Sequence, residues 1–359
     1  MPANIQPAIG RFAETIVQWQ KQAGRHDLPW QGTSDPYKIW LSEIMLQQTQ
    51  VSTVIAYYQR FLERFPTLQA LAGATQDEVM PYWAGLGYYA RARNLHRCAQ
   101  VLCEKWGGKF PRQVSEIVQL PGIGRSTAAA IAAFAYGERQ PIMDGNVKRV
   151  FTRYFGIIGN PAVRAIEQEL WQTADAAIDA APPELDMAAY TQGLMDLGSS
   201  CCTRTRPACG LCPLGSHCYA RIESMQRELP TPKTRKTGAE RQCKMLILEH
   251  QGKILLEQRP SPGIWGGLRS LPQYDDLESL QGACLNWGLD PAQARKIAAL
   301  LHTFSHFRLH IEPWYLRSPA QFVAETRPQQ AWVAIEDLPA AALPAPVRKL
   351  LCGLFPGPG

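Results

Sequence analysis

The chain has 359 residues, of which 46% are hydrophobic and 19% charged. The length exceeds that of one ordinary domain, and the composition excludes a disordered, collagen-like or coiled-coil protein. The first residues lack the basic start and apolar stretch of a signal peptide, and no apolar run approaches the roughly 18 residues of a membrane span. We therefore expect an intracellular, soluble protein whose ten cysteines bind metal or fill the core.

Positive charge is concentrated in one stretch of the chain. Residues 85–153 contain eleven Lys or Arg against four Asp or Glu, a net +7, whereas the whole chain carries +6. Such a stretch suggests a polyanionic partner, and nucleic acid before membrane, because no basic amphipathic helix accompanies it. A solvated basic surface is the alternative that charge alone leaves open.

The first part of the chain, to about residue 225, predicts helices. Apolar residues recur at helical spacing in 39–45, in 51–58 and in the alanine-rich stretch 126–135. The following stretch, 229–241, is polar and basic and contains two prolines, which is typical of a linker.

Beyond the linker the pattern changes to strands. Residues 244–248 and 253–256 flank a Gln-Gly turn, as in a β-hairpin, and 307–312 alternate apolar and polar side chains. The predicted fold class is therefore multidomain, all-α followed by α+β. Its predicted parts are a helical domain, a linker and a second domain at 1–228, 229–242 and 243–359.

Four cysteines with the spacing Cys-x6-Cys-x2-Cys-x5-Cys predict a metal centre. They are Cys202, Cys209, Cys212 and Cys218. Zinc usually takes two close Cys pairs, and only the middle spacing is of that kind. An iron–sulfur cluster also takes four cysteines, although this spacing differs from the ferredoxin run. Spacing alone leaves zinc and iron–sulfur open, and the adjacent Cys201 is easily mistaken for a ligand.

The sequence LPGIGRSTA at 120–128 predicts a helix–hairpin–helix turn. Glycines such as Gly122 and Gly124 let a backbone approach a phosphate, and the N–H groups at the start of the next helix then bind the anion. A contact of this kind carries no base sequence information. An ordinary loop between helices is an equally good interpretation of the motif in isolation, and its place inside the basic stretch favours the phosphate site.

Two carboxylates are candidates for acid–base chemistry. Glu43 lies in a strongly apolar predicted helix, where burial would raise its pKa and keep it protonated. Asp144 stands between an apolar stretch and Gly-Asn, as a helix cap or as a buried functional carboxylate. For each residue in isolation, the alternatives of a solvent-facing glutamate and a simple cap are favoured.

These motifs, with LSEIMLQQTQ at 41–50, GLGYYARARNL at 85–95 and DGNVKRV at 144–150, resemble the endonuclease III superfamily of DNA glycosylases, and within it the adenine-specific members. The resemblance covers essentially the whole chain. It implies that the four cysteines hold a [4Fe–4S] cluster on a loop at 202–218 and that the hairpin grips a DNA phosphate.

The resemblance also implies the division of catalytic roles. Glu43, neutral through burial, would protonate the departing adenine, and an ionised Asp144 with a lowered pKa would stabilise the sugar cation. Asn146 would orient Asp144 through a hydrogen bond. Bifunctional members carry a lysine just after the hairpin, where this chain has Ser126, so the resemblance implies a monofunctional enzyme.

Further residues match the DNA-contacting positions of the family. Gln48 and Tyr88 correspond to residues that push into the duplex and fill the gap left by a flipped base. A core aromatic is the alternative for Tyr88. The hairpin with Ser126 is expected beside the DNA backbone. Lys148 is close to Asp144 in sequence, and for it a phosphate contact is favoured over trapping of the product sugar.

The second domain resembles a Nudix hydrolase. Its residues 301–307 match the loop with which the glycosylase family recognises the base opposite adenine. Phe304 would wedge beside that base, while Ser305 and His306 would contact 8-oxoguanine. The carboxylate-rich Nudix metal box is missing, since residues 282–288 contain no carboxylate, so nucleotide hydrolysis is disfavoured.

Taken together, the resemblance implies a base excision repair glycosylase. Its expected partner is double-stranded DNA with an adenine:8-oxoguanine mispair, and we expect a monomer in the bacterial cytoplasm, associated with the nucleoid and not with membrane. The alternatives are an endonuclease III-like glycosylase/lyase for oxidised pyrimidines and a non-catalytic iron–sulfur DNA-binding protein.

Overall fold

The computed structural model of the chain describes residues 6–233, 239–260, 263–304, 307–322 and 326–356. The chain divides into two compact units, and both of them are discontinuous in sequence. One unit comprises residues 1–73 and 94–235, and the other comprises 74–93 and 236–359. In the described ranges, no helix combines the length and the apolar character that crossing a bilayer demands.

The first unit is helical, as the apolar periodicity predicts. The α-helices of the chain up to residue 222 are α1 (Gln6–Ala23), α2 (Pro36–Leu46), α3 (Val51–Arg64), α4 (Leu68–Gly73), α5 (Gln76–Trp83), α6 (Ala90–Trp106), α7 (Val114–Ile117), α8 (Arg125–Tyr136), α9 (Gly145–Phe155), α10 (Arg164–Asp179), α11 (Met187–Asp196) and α12 (Tyr219–Ile222). Of these, α5 and the start of α6 belong to the second unit.

A π-helix, Leu197–Cys201, continues α11 toward the cysteine loop, and a 3-10 turn, Gly215–His217, lies within that loop. The core of the unit is built on α1, α8, α9, α10 and α11. Its centre is Phe12, which is fully buried with its ring 5.2 Å from that of Phe151 and 4.9 Å from that of Tyr154. These contacts fix α1 against α9, the helix that follows Asp144.

The predicted helix–hairpin–helix is present between α7 and α8. Gly122 has φ +78°, and a Cβ at that position would lie 2.6 Å from the Asn94 Cβ, so only glycine fits. Gly124 is the N-cap of α8 and forms no side-chain cap hydrogen bond. The start of α8 therefore presents its N–H groups uncapped by a side chain.

The second unit is built on one mixed sheet. The strands of its described residues are β1 (Ala239–His250), β2 (Lys253–Gln258), β3 (Arg269–Ser270), β4 (Gln273–Tyr274), β5 (Arg295–Lys296), β6 (Leu300–Thr303), β7 (Phe307–Arg317) and β8 (Gln330–Ala334). The order is β3-β2-β1-β7-β5, with β4 beside β1, β6 beside β7 and β8 beside β2. Helices α13 (Leu277–Asn286) and α14 (Ala345–Leu354) complete the unit, and α13 packs on a core that includes Leu246 and Leu316.

The predicted hairpin and the predicted alternation are confirmed. β1 and β2 pair antiparallel with His250 opposite Lys253, and both turn residues, Gln251 and Gly252, have positive φ. Along β7, Phe307 is buried while the next residue, Arg308, is exposed, as period two requires. β1 begins at Ala239, inside the stretch predicted as a linker, because it gains a parallel partner in β7 from Phe307 onward.

Candidate active site

Helix α2 places Glu43 on the wall of a cavity. Asp35 caps the helix by accepting the N–H of Tyr37 at 2.9 Å, and Pro36 occupies the first turn. The flanking residues Ser42 and Ile44 are buried, so the helix is anchored on both sides of Glu43. Burial, and then the negative charge of Asp144, raises the pKa of Glu43 to about 8. The carboxyl group is therefore protonated at neutral pH.

Asp144 is both the N-cap of α9 and part of the same cavity wall. Its Oδ1 accepts the N–H of Val147 at 2.7 Å, and the N–H of Asn146 also donates to its carboxylate. Burial raises the pKa of Asp144, while these donors and the cations Arg149 and Lys148 act in the opposite direction. The expected lowering is thus wrong in sign, because desolvation exceeds the donors.

The two acids are electrostatically coupled. The negative charge of Asp144 is, after burial, the second cause that raises the pKa of Glu43. A protonated carboxyl and an ionised carboxylate on one cavity can donate a proton and stabilise a positive charge, respectively.

The cavity has a volume of about 570 Å³, within the range of pockets that bind small organic groups. Glu43, Asp144 and Asn146 line it. Its other lining residues include the apolar Leu28, Trp30, Leu46, Phe134 and Met195 and the polar Arg25, His26, Gln31, Gln192 and Ser199. Flat apolar walls with a few amide and guanidinium groups suit a planar heterocycle with hydrogen-bonding edges.

Asn146 does not orient Asp144 through its side chain. Its Oδ1 instead accepts from Arg149 Nη2 at 2.9 Å, and Arg149 also donates to the carbonyl oxygens of Gly198 and Cys202. A Cβ at Gly198 would lie 2.6 Å from the Asn146 Cβ, so glycine lets the π-helix pack directly on the start of α9.

The four spaced cysteines line one small cavity, together with Cys201. Across the described ranges, no three Cys, His, Asp or Glu side chains converge tightly enough to hold a single metal ion. Beside the cavity, Arg153 is 3% exposed and donates to the Cys202 Sγ at 3.3 Å and to the carbonyls of Thr203 and Leu229.

Comparisons with known proteins agree with this architecture. The model of the HhH-GPD superfamily base excision DNA repair proteins matches residues 41–175, and that of the NUDIX domain matches 243–352. An adenine DNA glycosylase of Buchnera aphidicola subsp. Acyrthosiphon pisum is 36% identical over 95% of this chain and 96% of its own. The Homo sapiens adenine DNA glycosylase is 34% identical over 95% of this chain and 73% of its own.

The chain belongs to the adenine DNA glycosylase family. It combines an all-α HhH-GPD domain with an α+β Nudix-like domain, as that resemblance predicted. A solved thermostable thymine-DNA glycosylase aligns with 61% of this chain and 99% of its own, at 28% identity and a TM-score of 0.54. A non-covalent endonuclease III–DNA complex aligns with 63% of this chain at 21% identity and a TM-score of 0.51, a likeness of fold alone.

In this member of the adenine DNA glycosylase family, the predicted DNA-contacting residues differ in backbone conformation, exposure and hydrogen-bond partners. Gln48 and Tyr88 both have left-handed backbones, with φ of +57° and +49°, and Tyr88 is 49% exposed, which disagrees with a core role. Ser126 Oγ accepts the N–H of Met143 at 2.9 Å, which ties α8 to the segment before Asp144. Lys148 Nζ lies 2.6 Å from a carboxylate oxygen of Glu167.

Of the three residues predicted to contact the base opposite adenine, Phe304 is half-buried in the second unit. Ser305 and His306 lie outside the described residues.

Sequence reasoning missed the residues that shape the pocket beside Glu43 and Asp144 in this member of the adenine DNA glycosylase family. Arg25 donates through its backbone N–H and its Nε to the carboxylate of Asp196, which is 1% exposed, at 2.9 and 2.7 Å. Gln31 in turn donates to the Arg25 carbonyl. No local motif marks these residues, because they meet only through the packing of α1 on α11.

Proposed function

We propose that this protein hydrolyses the N-glycosidic bond of adenine paired with 8-oxoguanine in duplex DNA. One observation carries the proposal: Glu43, whose pKa is raised to about 8, and Asp144 line one cavity in a member of the adenine DNA glycosylase family. Adenine inside the stack is out of reach, so it is flipped into the cavity before reaction.

The reaction follows from the two charge states. Glu43 donates its proton to N7 of adenine, because adenine leaves poorly as an anion. The glycosidic bond then breaks with its electrons on the base, and the sugar is left as an oxocarbenium-like cation. Asp144 stabilises that cation electrostatically, as the second carboxylate does in glycosidases. Glu43, now ionised, accepts a proton from the attacking water, and the products are adenine and an abasic site.

We propose that the enzyme is monofunctional. Ser126 stands at the position of the lysine of bifunctional relatives, and its hydroxyl is already engaged with Met143. Two lysines lie near the pocket with their ammonium groups paired, Lys21 with Asp186 at 2.9 Å and Lys148 with Glu167. An amine held as a paired cation is a poor nucleophile, so imine formation with the sugar is disfavoured.

We also propose that Cys202, Cys209, Cys212 and Cys218 hold a [4Fe–4S] cluster. The donor set fits, because such a cluster takes one thiolate at each of four irons, and its ligands stand further apart than around one ion. The surroundings fit as well. The hydrogen bonds of the half-buried Arg149 and the buried Arg153 go to carbonyl oxygens, an amide and a sulfur, so a negatively charged group between the thiolates would balance these cations. When bound, the cluster cross-links the loop.

Iron analysis tests this assignment. The purified protein should contain about four iron atoms per chain with matching sulfide. Cys212→Ser should lose iron and melt at lower temperature, while the control Cys352→Ser, a half-buried cysteine of the second unit, should keep both. Stoichiometric zinc in place of iron would contradict the proposal.

Each proposed DNA contact is inferred from the position and partners of the residue that would make it. The uncapped start of α8 after Gly122 and Gly124 offers N–H groups to a backbone phosphate. Lys148 would contact a phosphate by giving up its ion pair with Glu167. Gln48 and Tyr88 would enter the duplex. In the second unit, Phe304, Ser305 and His306 contact 8-oxoguanine. We place the enzyme, as a monomer, on the nucleoid of the bacterial cytoplasm.

Base release from labelled duplexes tests the activity directly. A duplex with adenine opposite 8-oxoguanine should break only after alkali treatment, because the abasic product is left uncut. A thymine-glycol duplex serves as the control and should stay intact. Breaks without alkali, or cutting of the thymine-glycol duplex instead, would contradict the proposal and favour an endonuclease III-like lyase. Tight binding with no base release would favour a non-catalytic DNA-binding protein.

A further inference from the structure

A short loop of the second unit, Gly263–Leu268, has an unusual backbone. We call it the Trp265 loop. Trp265 has φ +57°, and Gly267 has φ +82°. A left-handed backbone is ordinary for glycine, but for a bulky aromatic residue it is an outlier that the surrounding structure must enforce. The N–H of Leu268 donates to the Trp265 carbonyl at 3.0 Å, and that of Gly267 donates to the Arg259 carbonyl at 3.0 Å.

The strained backbone of Trp265 directs its indole ring toward a cluster of aromatic side chains. Trp265 is 6% exposed, with its ring centroid 5.8 Å from that of His302 and 5.6 Å from that of Phe304. The His302 and Phe304 rings meet edge to face at 4.6 Å, and Phe304 stacks on Phe307 at 4.4 Å. Phe304, which lies outside both strands, is thus contacted by the rings of Trp265, His302 and Phe307.

The other contacts of the Trp265 loop lead to the segment 74–93 of the same compact unit. Arg93 donates to the Gly266 carbonyl. A Cβ at Gly267 would lie 2.7 Å from Gln76 Nε2 and 3.7 Å from the Arg93 Cδ, so the loop packs closely on this segment. The segment carries Tyr88, the exposed aromatic residue with its own left-handed backbone.

We propose that Trp265 is a positioning residue that sets the discrimination of the opposite base. Its ring fixes Phe304, and its loop fixes the segment that carries Tyr88, so the two DNA-facing aromatics keep one relative geometry before DNA binds. The inference rests on the proposed function, in which Phe304 contacts the base opposite adenine. Burial of a tryptophan does not require left-handed strain, since Trp40 is fully buried within the regular helix α2. Strain at Trp265 is retained because it aims the ring.

Two substitutions separate the ring from the backbone. Trp265→Asn removes the ring, and asparagine tolerates the left-handed conformation, so the loop keeps its course. Trp265→Phe keeps an aromatic ring. Trp287→Phe is the matched control, because Trp287 packs on the apolar core beneath α13. Each variant is assayed as the full chain with enzyme in excess, on adenine opposite 8-oxoguanine and on adenine opposite guanine. Dissociation constants are measured with non-cleavable adenine analogues in both duplexes.

Trp265→Asn should lower the preference for 8-oxoguanine over guanine about tenfold, since two ring contacts of Phe304 and His302 are lost. Its rate on adenine opposite guanine at saturating enzyme should stay within about twofold of wild type, because the catalytic pair lies elsewhere. Trp265→Phe should keep most of the preference, and Trp287→Phe should keep all of it. A merely structural role would change the rates on both duplexes and the melting temperature together.

The outcomes separate this inference from the proposed function. If the wild-type enzyme shows no preference for 8-oxoguanine, the proposed opposite-base recognition fails. If the wild type shows the preference and Trp265→Asn retains it, the positioning role of Trp265 is overturned. Trp265→Gly, which also removes the ring and accepts φ +57° without strain, is the second variant. If both ring-free variants lose stability and activity on both duplexes alike, the ring serves the fold and the inference is overturned as well.

Discussion

Replacing Glu43 with glutamine should lower the rate of adenine release by at least about 10², the usual contribution of a positioned proton donor. Glutamine keeps the size and polarity of the side chain but has no acidic proton to give to N7. The measurement is the single-turnover rate from alkali-treated duplex at saturating enzyme. Glu14→Gln is the control, because Glu14 is exposed on α1 and should change nothing. A Glu43→Gln enzyme within tenfold of wild type would contradict the proton-donor role.

The pH dependence gives the same group a second test. The pKa of Glu43 is raised to about 8, so the acid is protonated below that pH and loses its proton above it. The rate of base release should therefore fall as the pH rises through about 8. It should also fall as the pH drops through the raised pKa of Asp144, because the carboxylate is then protonated and its negative charge is lost. The residual rate of Glu43→Gln should show no decline near pH 8.

Replacing Asp144 with asparagine should lower the rate by about 10² or more, because the charge opposite the sugar cation disappears. Asparagine accepts a hydrogen bond as an N-cap almost as well as aspartate does, so α9 should keep its start and the protein its melting temperature. The measurement pairs the single-turnover rate with thermal unfolding.

Asp276→Asn provides the matched control for this change. Asp276 caps α13 by accepting the N–H of Ser279 at 2.7 Å, the same distance as between Asp144 and Val147. Asp144→Asn and Asp276→Asn alter the same kind of helix cap, but only Asp144→Asn should stop base release. Equal effects of both on activity, or a collapse of stability at Asp144 alone, would show that capping rather than charge is the role of Asp144.

The sequence predicts the regular elements well, because their signals are local. The apolar periodicity of 39–45 and 126–135 predicts α2 and α8, and the Gln251-Gly252 pair predicts the turn between β1 and β2. Asp144 shows the limit of such reasoning. A helix cap and a functional carboxylate are alternatives when only the sequence is considered, whereas in the structure one oxygen caps α9 while the carboxylate lines the cavity.

Features that depend on contacts distant in sequence are not predictable in this way. Arg25 reaches the cavity through Asp196, a partner on another helix with no motif of its own. The burial that raises the pKa of Asp144 comes from the packed cavity wall and outweighs the local N–H donors. The grouping of 74–93 with the second unit likewise depends on the Trp265 loop, far along the chain.

That grouping has a consequence for how the protein is made. During synthesis, residues 74–93 leave the ribosome before the whole stretch 94–235, and the Trp265 loop that they contact comes later still. At about 5–20 residues per second, this segment waits roughly 10–30 s for its partners. Contacts that close so long a loop form late, because the chain must lose conformational entropy before the contacts contribute favourable packing energy. Nascent chains that stop before residue 263 therefore leave α5 without its contacts to the Trp265 loop, at Gln76 and Met80.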